Sequence, residues 1–256
     1  MTTPQVSLMK NINDSYFDGY YKEIWRSLIP AELTAKELEF MFQYFSLQPG
    51  DQVLDLMCGY GRHAIGLAEK GIKVTAIDNL GDYIDEVQEK ARLGSLPVEA
   101  IKADISRFEA EGLFDLAICM GNSLNFFNAA DTAKILRQIS AHLKPGAHFL
   151  LNSWSIAEIA LKNFKEKNWN RVGELKLLTE STFLFDPTRI ETNTIFISPS
   201  GGEETKKAID YIFSVNELQT MVIESGMIWK EIYSIPGRKK FTLGEPRAYI
   251  IAQKPG

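Results

Sequence analysis

The chain has 256 residues, 45% of them hydrophobic and 24% charged, values typical of a globular fold that exclude a disordered chain, a collagen-like repeat and a coiled-coil rod. Its 28 Lys+Arg against 33 Asp+Glu leave a net charge of −5, which disfavours binding driven by phosphate neutralisation, so no nucleic-acid partner is expected. Two cysteines, Cys58 and Cys119, and three histidines stand in no metal-binding spacing and form no disulfide framework, so no metal and a reducing, cytoplasmic setting are expected.

In chain order, the opening MTTPQVSLMKNIND lacks a basic segment followed by an apolar run, and no stretch approaches the ~20 apolar residues that span a bilayer, so no membrane association is expected. Residues 14–46 read as two helical stretches broken near Pro30, the first carrying Phe17, Tyr20, Tyr21, Ile24 and Leu28 at helical spacing. They make an N-terminal helical cap over residues 1–48, before a main domain over 49–256. Apolar runs at Val53–Leu56, Val74–Ile77, Val98–Ala103, Phe114–Met120 and His148–Asn152 predict strands, and helical patterns between several of them imply βαβ units and a parallel sheet. After a helical stretch from Ile156 to Phe164 the rhythm changes. Leu175–Phe185, Arg189–Ser198 and Thr205–Phe213 follow one another without helices, which predicts an antiparallel β insertion over 174–213. Ser214 and Glu217 form a capping box before a helix ending at Gly226, and strands at Trp229–Ser234 and Ala248–Gln253 finish the chain.

The segment Val53-Leu54-Asp55-Leu56-Met57-Cys58-Gly59-Tyr60-Gly61-Arg62-His63 runs from a buried strand through a glycine turn into a helix. Gly59 and Gly61 let the backbone turn sharply and approach a ligand. Asp55 would meet a pyrophosphate unfavourably but can accept from a ligand ammonium. Asp78, ending the second strand, can take both hydroxyls of a ribose. Asp104, after the third, offers an acceptor for an exocyclic amine beside apolar Ile105. Three acids at successive strand ends define a site at the carboxyl edge of the sheet. They call for a ligand that is cationic at one end, carries a ribose and an amine-bearing base, and has no phosphate.

S-adenosylmethionine meets that description. LDLMCGYGRH, VTAID with Asp78, KADI with Asp104 and LKPGAHFLL together resemble the class I S-adenosylmethionine-dependent methyltransferase family, from about Val53 to Asn152 and more loosely to the end. The resemblance implies an α/β, Rossmann-like seven-stranded sheet whose last strand is antiparallel, with helices on both faces. It also implies that Gly59 and Gly61 approach the methionine moiety, Asp55 supports its amino group, Asp78 holds the ribose and Asp104 with Ile105 holds the adenine. Backbone at Met120 lines the methionine, and Tyr21 of the leading helix faces the sulfonium.

Met57 departs from the family's usual glycine; alternation from Asp55 predicts that its side chain points back into the core. Asn122, Ser123 and Asn125, at the exit of the fourth strand, either orient an acceptor or cap the next helix. Cys58 and the histidines read as packing residues, and no residue is identifiable as a catalytic base. The expected activity is methyl transfer to a nucleophilic N or O atom of a small molecule by a monomer or homodimer, with the insertion as a separable lid over the acceptor or as a dimer surface. A nicotinamide-dependent oxidoreductase on the same glycine turn and a non-catalytic S-adenosylmethionine-binding protein are the alternatives.

Overall fold

A computed structural model of the chain describes residues 11–256. Gly19, with φ +59, delays the first helix, so α1 spans Tyr20–Leu28 and the residues before it run as an irregular strap containing one 3-10 turn at Ile12–Ser15. Pro30 then stands as N-cap of α2, Ala31–Phe45. The central unit alternates as expected: β1 Gln52–Leu56, α3 Arg62–Ala68, β2 Lys73–Asp78, α4 Gly81–Gly94, β3 Val98–Lys102, β4 Phe114–Cys119, α5 Ala129–His142 and β5 Leu143–Ser153. After α6, Ala157–Asn163, come β6 Lys167–Val172, β7 Leu175–Phe185, β8 Thr188–Ile197 and β9 Glu203–Tyr211. The chain closes with α7 Val215–Glu224, β10 Ile228–Ile235, β11 Lys239–Lys240 and β12 Ala248–Gln253. The Ser214–Glu217 capping box is formed, side chain to backbone in both directions.

The main sheet has the order β11-β10-β12-β5-β4-β1-β2-β3. Strands β1 to β5 are parallel, whereas β12 pairs antiparallel with both β5 and β10. The antiparallel last strand is therefore inserted as expected, and the one difference from seven strands is β11, a two-residue edge ribbon on β10. Alternation along β1 sends its neighbours to opposite layers. Leu54 and Leu56 join the core beneath α5 and α7, and Val53 joins the core against α2 and α3.

The second sheet has four antiparallel strands in the order β6-β7-β8-β9, one more than the sequence predicts. The extra strand, Lys167–Val172, is polar and exposed along nearly its whole length, so it carries no apolar alternation to read. This sheet is tied to the rest of the chain through β9 and the N-terminal strap. The Asn13 side chain pairs with both the N–H and the carbonyl of Ile209 and also donates to the Phe126 carbonyl. Lys206, only 8% exposed, donates to the Ser15 carbonyl and pairs with Asp18. The insertion is thus the support on which the strap rests, and its removal would disturb the strap as well.

Candidate functional site

The carboxyl ends of β1, β2 and β4 surround a cavity of about 800 Å³, roofed by the strap and α1. Its volume lies in the range of pockets that enclose a small organic ligand. Asp55, Gly59, Asp78, Asp104, Ile105, Met120 and Tyr21 all line it, and Gly61 does not.

Asp55, next to last in β1, is 2% exposed, and its Oδ2 is buried with no hydrogen-bond partner. Burial pushes its pKa up to about 7 against the pull of Arg62 and the Ala64 N–H. An orphan carboxylate oxygen is costly, and one on a cavity wall is relieved by a cation supplied from outside, which is what a ligand ammonium offers. Asp78 ends β2, accepting from the Gly59 N–H at 2.9 Å through Oδ2 and from the Leu80 N–H at 3.0 Å through Oδ1. Burial raises its pKa, opposed by those donors. Each oxygen keeps acceptor capacity, so two vicinal hydroxyls fit. Asp104 is more open: it accepts from the Ser106 N–H and lies 3.5 Å from Arg107, beside buried Ile105.

The two glycines of the turn serve different ends. Both have left-handed φ, +54 at Gly59 and +75 at Gly61. A Cβ on Gly59 would meet nothing within 4 Å, because that position opens on the cavity, whereas one on Gly61 would lie 2.6 Å from Val87 of α4. Gly61 is a packing requirement of α3 on α4. We therefore expect Gly61→Ala to lower the melting temperature by several degrees, the overpacking costing about 1–3 kcal/mol. Gly59→Ala, bearing only a left-handed backbone cost of about 1 kcal/mol, should affect ligand affinity more than melting. Thermal denaturation and calorimetry on the two variants separate these outcomes.

Met57 has φ +55, which breaks the strand's alternation. Its side chain therefore leaves Asp55's face and packs against the cluster containing Leu54 and Leu56, while part of it lines the cavity. The left-handed φ is the reason a glycine suits this position. Cys58 also lines the cavity, but burial together with Asp55 and Asp78 pushes its thiol well up, so it stays protonated. His63 is buried and bonded to Glu37.

On the roof, Tyr21 is stacked with Trp25 at 6.1 Å and edge-on to Phe17 at 5.1 Å, so its ring is fixed by aromatic neighbours. Lys22 and Arg26 of α1 pair with Glu86 of α4, and Arg26 lies over the Tyr60 ring, which pins α1 across the glycine turn.

Asn122 and Asn125 do not line the cavity. Both are buried, at 1% and 2% exposure. Asn122, with φ +69, donates to Ser155 and Asp210 and accepts from Ser153 and the Trp154 and Ser155 N–H groups. Asn125 bridges Ser153, the Ser155 carbonyl and the Tyr211 carbonyl. Both amides are consumed in holding the β4 exit against the β5 exit and β9; Ser123 lines the cavity but donates to the Met120 carbonyl. Asp210 of β9 is the charged member of this cluster, and no sequence pattern marked it.

Among the described residues no cluster of His, Cys, Asp or Glu has metal-binding geometry, and no helix is long and apolar enough to cross a membrane.

Residues 53–146 match the family model of a methyltransferase domain. In sequence the chain is 28% identical over 144 residues to a glycine/sarcosine N-methyltransferase of Halorhodospira halochloris, covering 54% of this chain and 53% of that one. It is 37% identical over 112 residues to a cypemycin N-terminal methyltransferase of a Streptomyces species, covering 43% and 44%. The chain thus spans about half the length of the relatives it matches. In structure it superposes with a TM-score of 0.80 on an S-adenosylmethionine-dependent methyltransferase of Clostridium acetobutylicum, at 20% identity and covering 93% and 97% of the two chains.

Proposed function

Because the chain carries a class I S-adenosylmethionine-dependent methyltransferase domain, we propose that it transfers a methyl group from that cofactor to a nucleophilic nitrogen or oxygen of a small molecule. The observation that carries the reading is the unpartnered, buried Oδ2 of Asp55 in the lining of the cavity that Asp78, at the end of the adjacent strand, also lines. Asp55 holds the cofactor's ammonium, Asp78 its ribose hydroxyls, and Asp104 with Ile105 its adenine. Tyr21 presents a fixed ring to the sulfonium, a contact worth about 0.5–2 kcal/mol. When bound, the sulfonium supplies a methyl carbon already activated for displacement and a neutral thioether as leaving group. What remains for the protein is alignment and exclusion of water. The strap and α1 roof the cavity and perform the second task; Met120 at the β4 exit, 5% exposed, sits where the first is decided. Relatives named for N-methylation and for O-methylation both occur, so the acceptor atom is left as nitrogen or oxygen.

S-adenosylmethionine should raise the melting temperature of the protein and NAD should not. Stabilisation by NAD alone would overturn the reading in favour of an oxidoreductase. Binding of S-adenosylmethionine without labelled methyl transfer to any fraction of a metabolite extract would reduce it to a binding protein.

A further inference from the structure

Arg62 opens α3 directly after the glycine turn and lines the cavity together with Asp55, whose carboxyl feels its charge. Its side chain is 10% exposed. One corner of the guanidinium is fixed by α2, since Nη1 donates to Thr34 Oγ1 at 2.9 Å and to Glu37 Oε2 at 2.5 Å. Glu37 is held in turn by the Tyr249 hydroxyl of β12 at 2.8 Å. The other edge of the guanidinium, Nε and Nη2, donates to no described residue. Neither atom is sealed in protein, because among the described residues the fully buried side-chain atoms without a partner are Asp55 Oδ2 and Gln138 Oε1. The open space that Arg62 lines is the cavity. An unpaired acceptor on β1 and a set of unpaired donors on α3 therefore serve one chamber.

Resting on the methyltransferase reading above, we infer that Arg62 takes the carboxylate of the cofactor's amino-acid end while Asp55 takes its ammonium, and that Thr34 and Glu37 are positioning residues that hold Arg62 in place for this. The Nε and Nη2 edge is the one whose two parallel N–H bonds match a carboxylate. The ligand's two opposite charges sit on one carbon, so they add no net charge to the pocket. That neutrality lets a guanidinium already paired with Glu37 take a second carboxylate: the anion arrives with its own cation, and Asp55 receives the cation. A lysine would serve poorly here, because a point ammonium cannot hold Thr34 and Glu37 with one edge and a carboxylate with another. The groups that aim Arg62 lie on α2 and β12, outside the matched domain of residues 53–146. The outer elements of the chain therefore give it a selectivity that its glycine turn alone does not. It reads the zwitterionic end of the ligand as well as the adenosine, and it discriminates against a cofactor that has lost its carboxylate.

Calorimetry on the full chain with three ligands that share the adenosine thioether tests the assignment. S-adenosylhomocysteine carries both charges, decarboxylated S-adenosylhomocysteine only the ammonium, and methylthioadenosine neither. The wild type should bind S-adenosylhomocysteine about a hundredfold more tightly than its decarboxylated form, which lacks the two charge-assisted bonds. Arg62→Lys keeps a cation beside Glu37; it should weaken S-adenosylhomocysteine about tenfold and leave the other two ligands unchanged. Arg62→Gln should bring S-adenosylhomocysteine down to the affinity of the decarboxylated form, and Arg62→Lys carries the test if the neutral variant fails to fold. Thr34→Val keeps the shape and removes one of the two bonds on Nη1. It should weaken S-adenosylhomocysteine about threefold and spare methylthioadenosine, a change in selectivity that a merely structural loss would not produce. Equal wild-type affinity for S-adenosylhomocysteine and its decarboxylated form, unchanged S-adenosylhomocysteine binding in Arg62→Lys, or equal weakening of all three ligands in that variant each overturns the assignment. A wild type that binds neither S-adenosylmethionine nor any of the three overturns the methyltransferase reading instead, so the two failures are distinguishable.

Discussion

Asp78→Ala should weaken S-adenosylmethionine binding by two orders of magnitude or more. Two charge-assisted hydrogen bonds to hydroxyls, each worth about 1.5–3 kcal/mol, are lost together. The same substitution strands the Gly59 and Leu80 N–H groups, which now donate to the two carboxylate oxygens, so the glycine turn should loosen as well. Asp78→Asn offers little rescue, because its NH₂ would face one of those N–H donors. Calorimetry gives the affinity and thermal melting the loosening. An unchanged affinity would show that the ribose lies elsewhere.

Glu37→Ala should cost the largest share of stability of any single substitution near the site, about 3–5 kcal/mol, because it leaves a buried charge without its partner. Glu37 of α2 is 1% exposed and receives Arg62 Nη1 at 2.5 Å, His63 Nε2 at 2.9 Å and the Tyr249 hydroxyl at 2.8 Å. Burial alone would raise its pKa, but the bond from His63 and the charge of Arg62 prevail and hold the carboxyl down at about 2. Burial and the Arg62 charge lower His63, which serves as a neutral donor near pH 7. For an acid lowered on folding, the stabilisation is complete above its unfolded value, about 4.3. It is lost as pH falls from there towards the folded one. Denaturant titrations from neutrality to pH 2 should therefore show an acid limb in the wild type that Glu37→Gln lacks. Equal slopes would show that Glu37 is not the ionised centre of the cluster.

The parallel half of the fold was legible because strands buried on both faces, such as Phe114–Cys119, read as unbroken apolar runs. The three strand-end acids were legible for a related reason, since each follows such a run. Other features depended on chain segments far apart. Asn122 and Asn125 look available in a polar loop, yet their partners lie on β5 and β9, and only folding shows them consumed. Asp210 sits 55 residues from Ser155 and 88 from Asn122. No local pattern could connect them. Met57 packs on the core as expected but not by strand alternation, which holds only while φ remains extended, and there it turns positive. The packing role of Gly61 was not legible because a glycine does not announce what its missing Cβ would have met, here Val87.

The strap of residues 11–19 is shared property. It is hydrogen-bonded to the cofactor side at Tyr83 and Phe126, and to the insertion at Ile209, Thr194 and Lys206. A single clasp therefore spans the roof of the cavity and the insertion sheet. Opening the roof of the cavity by lifting the strap would also strip β8 and β9 of their partners at Thr194, Lys206 and Ile209, so the roof and the insertion sheet move together or not at all.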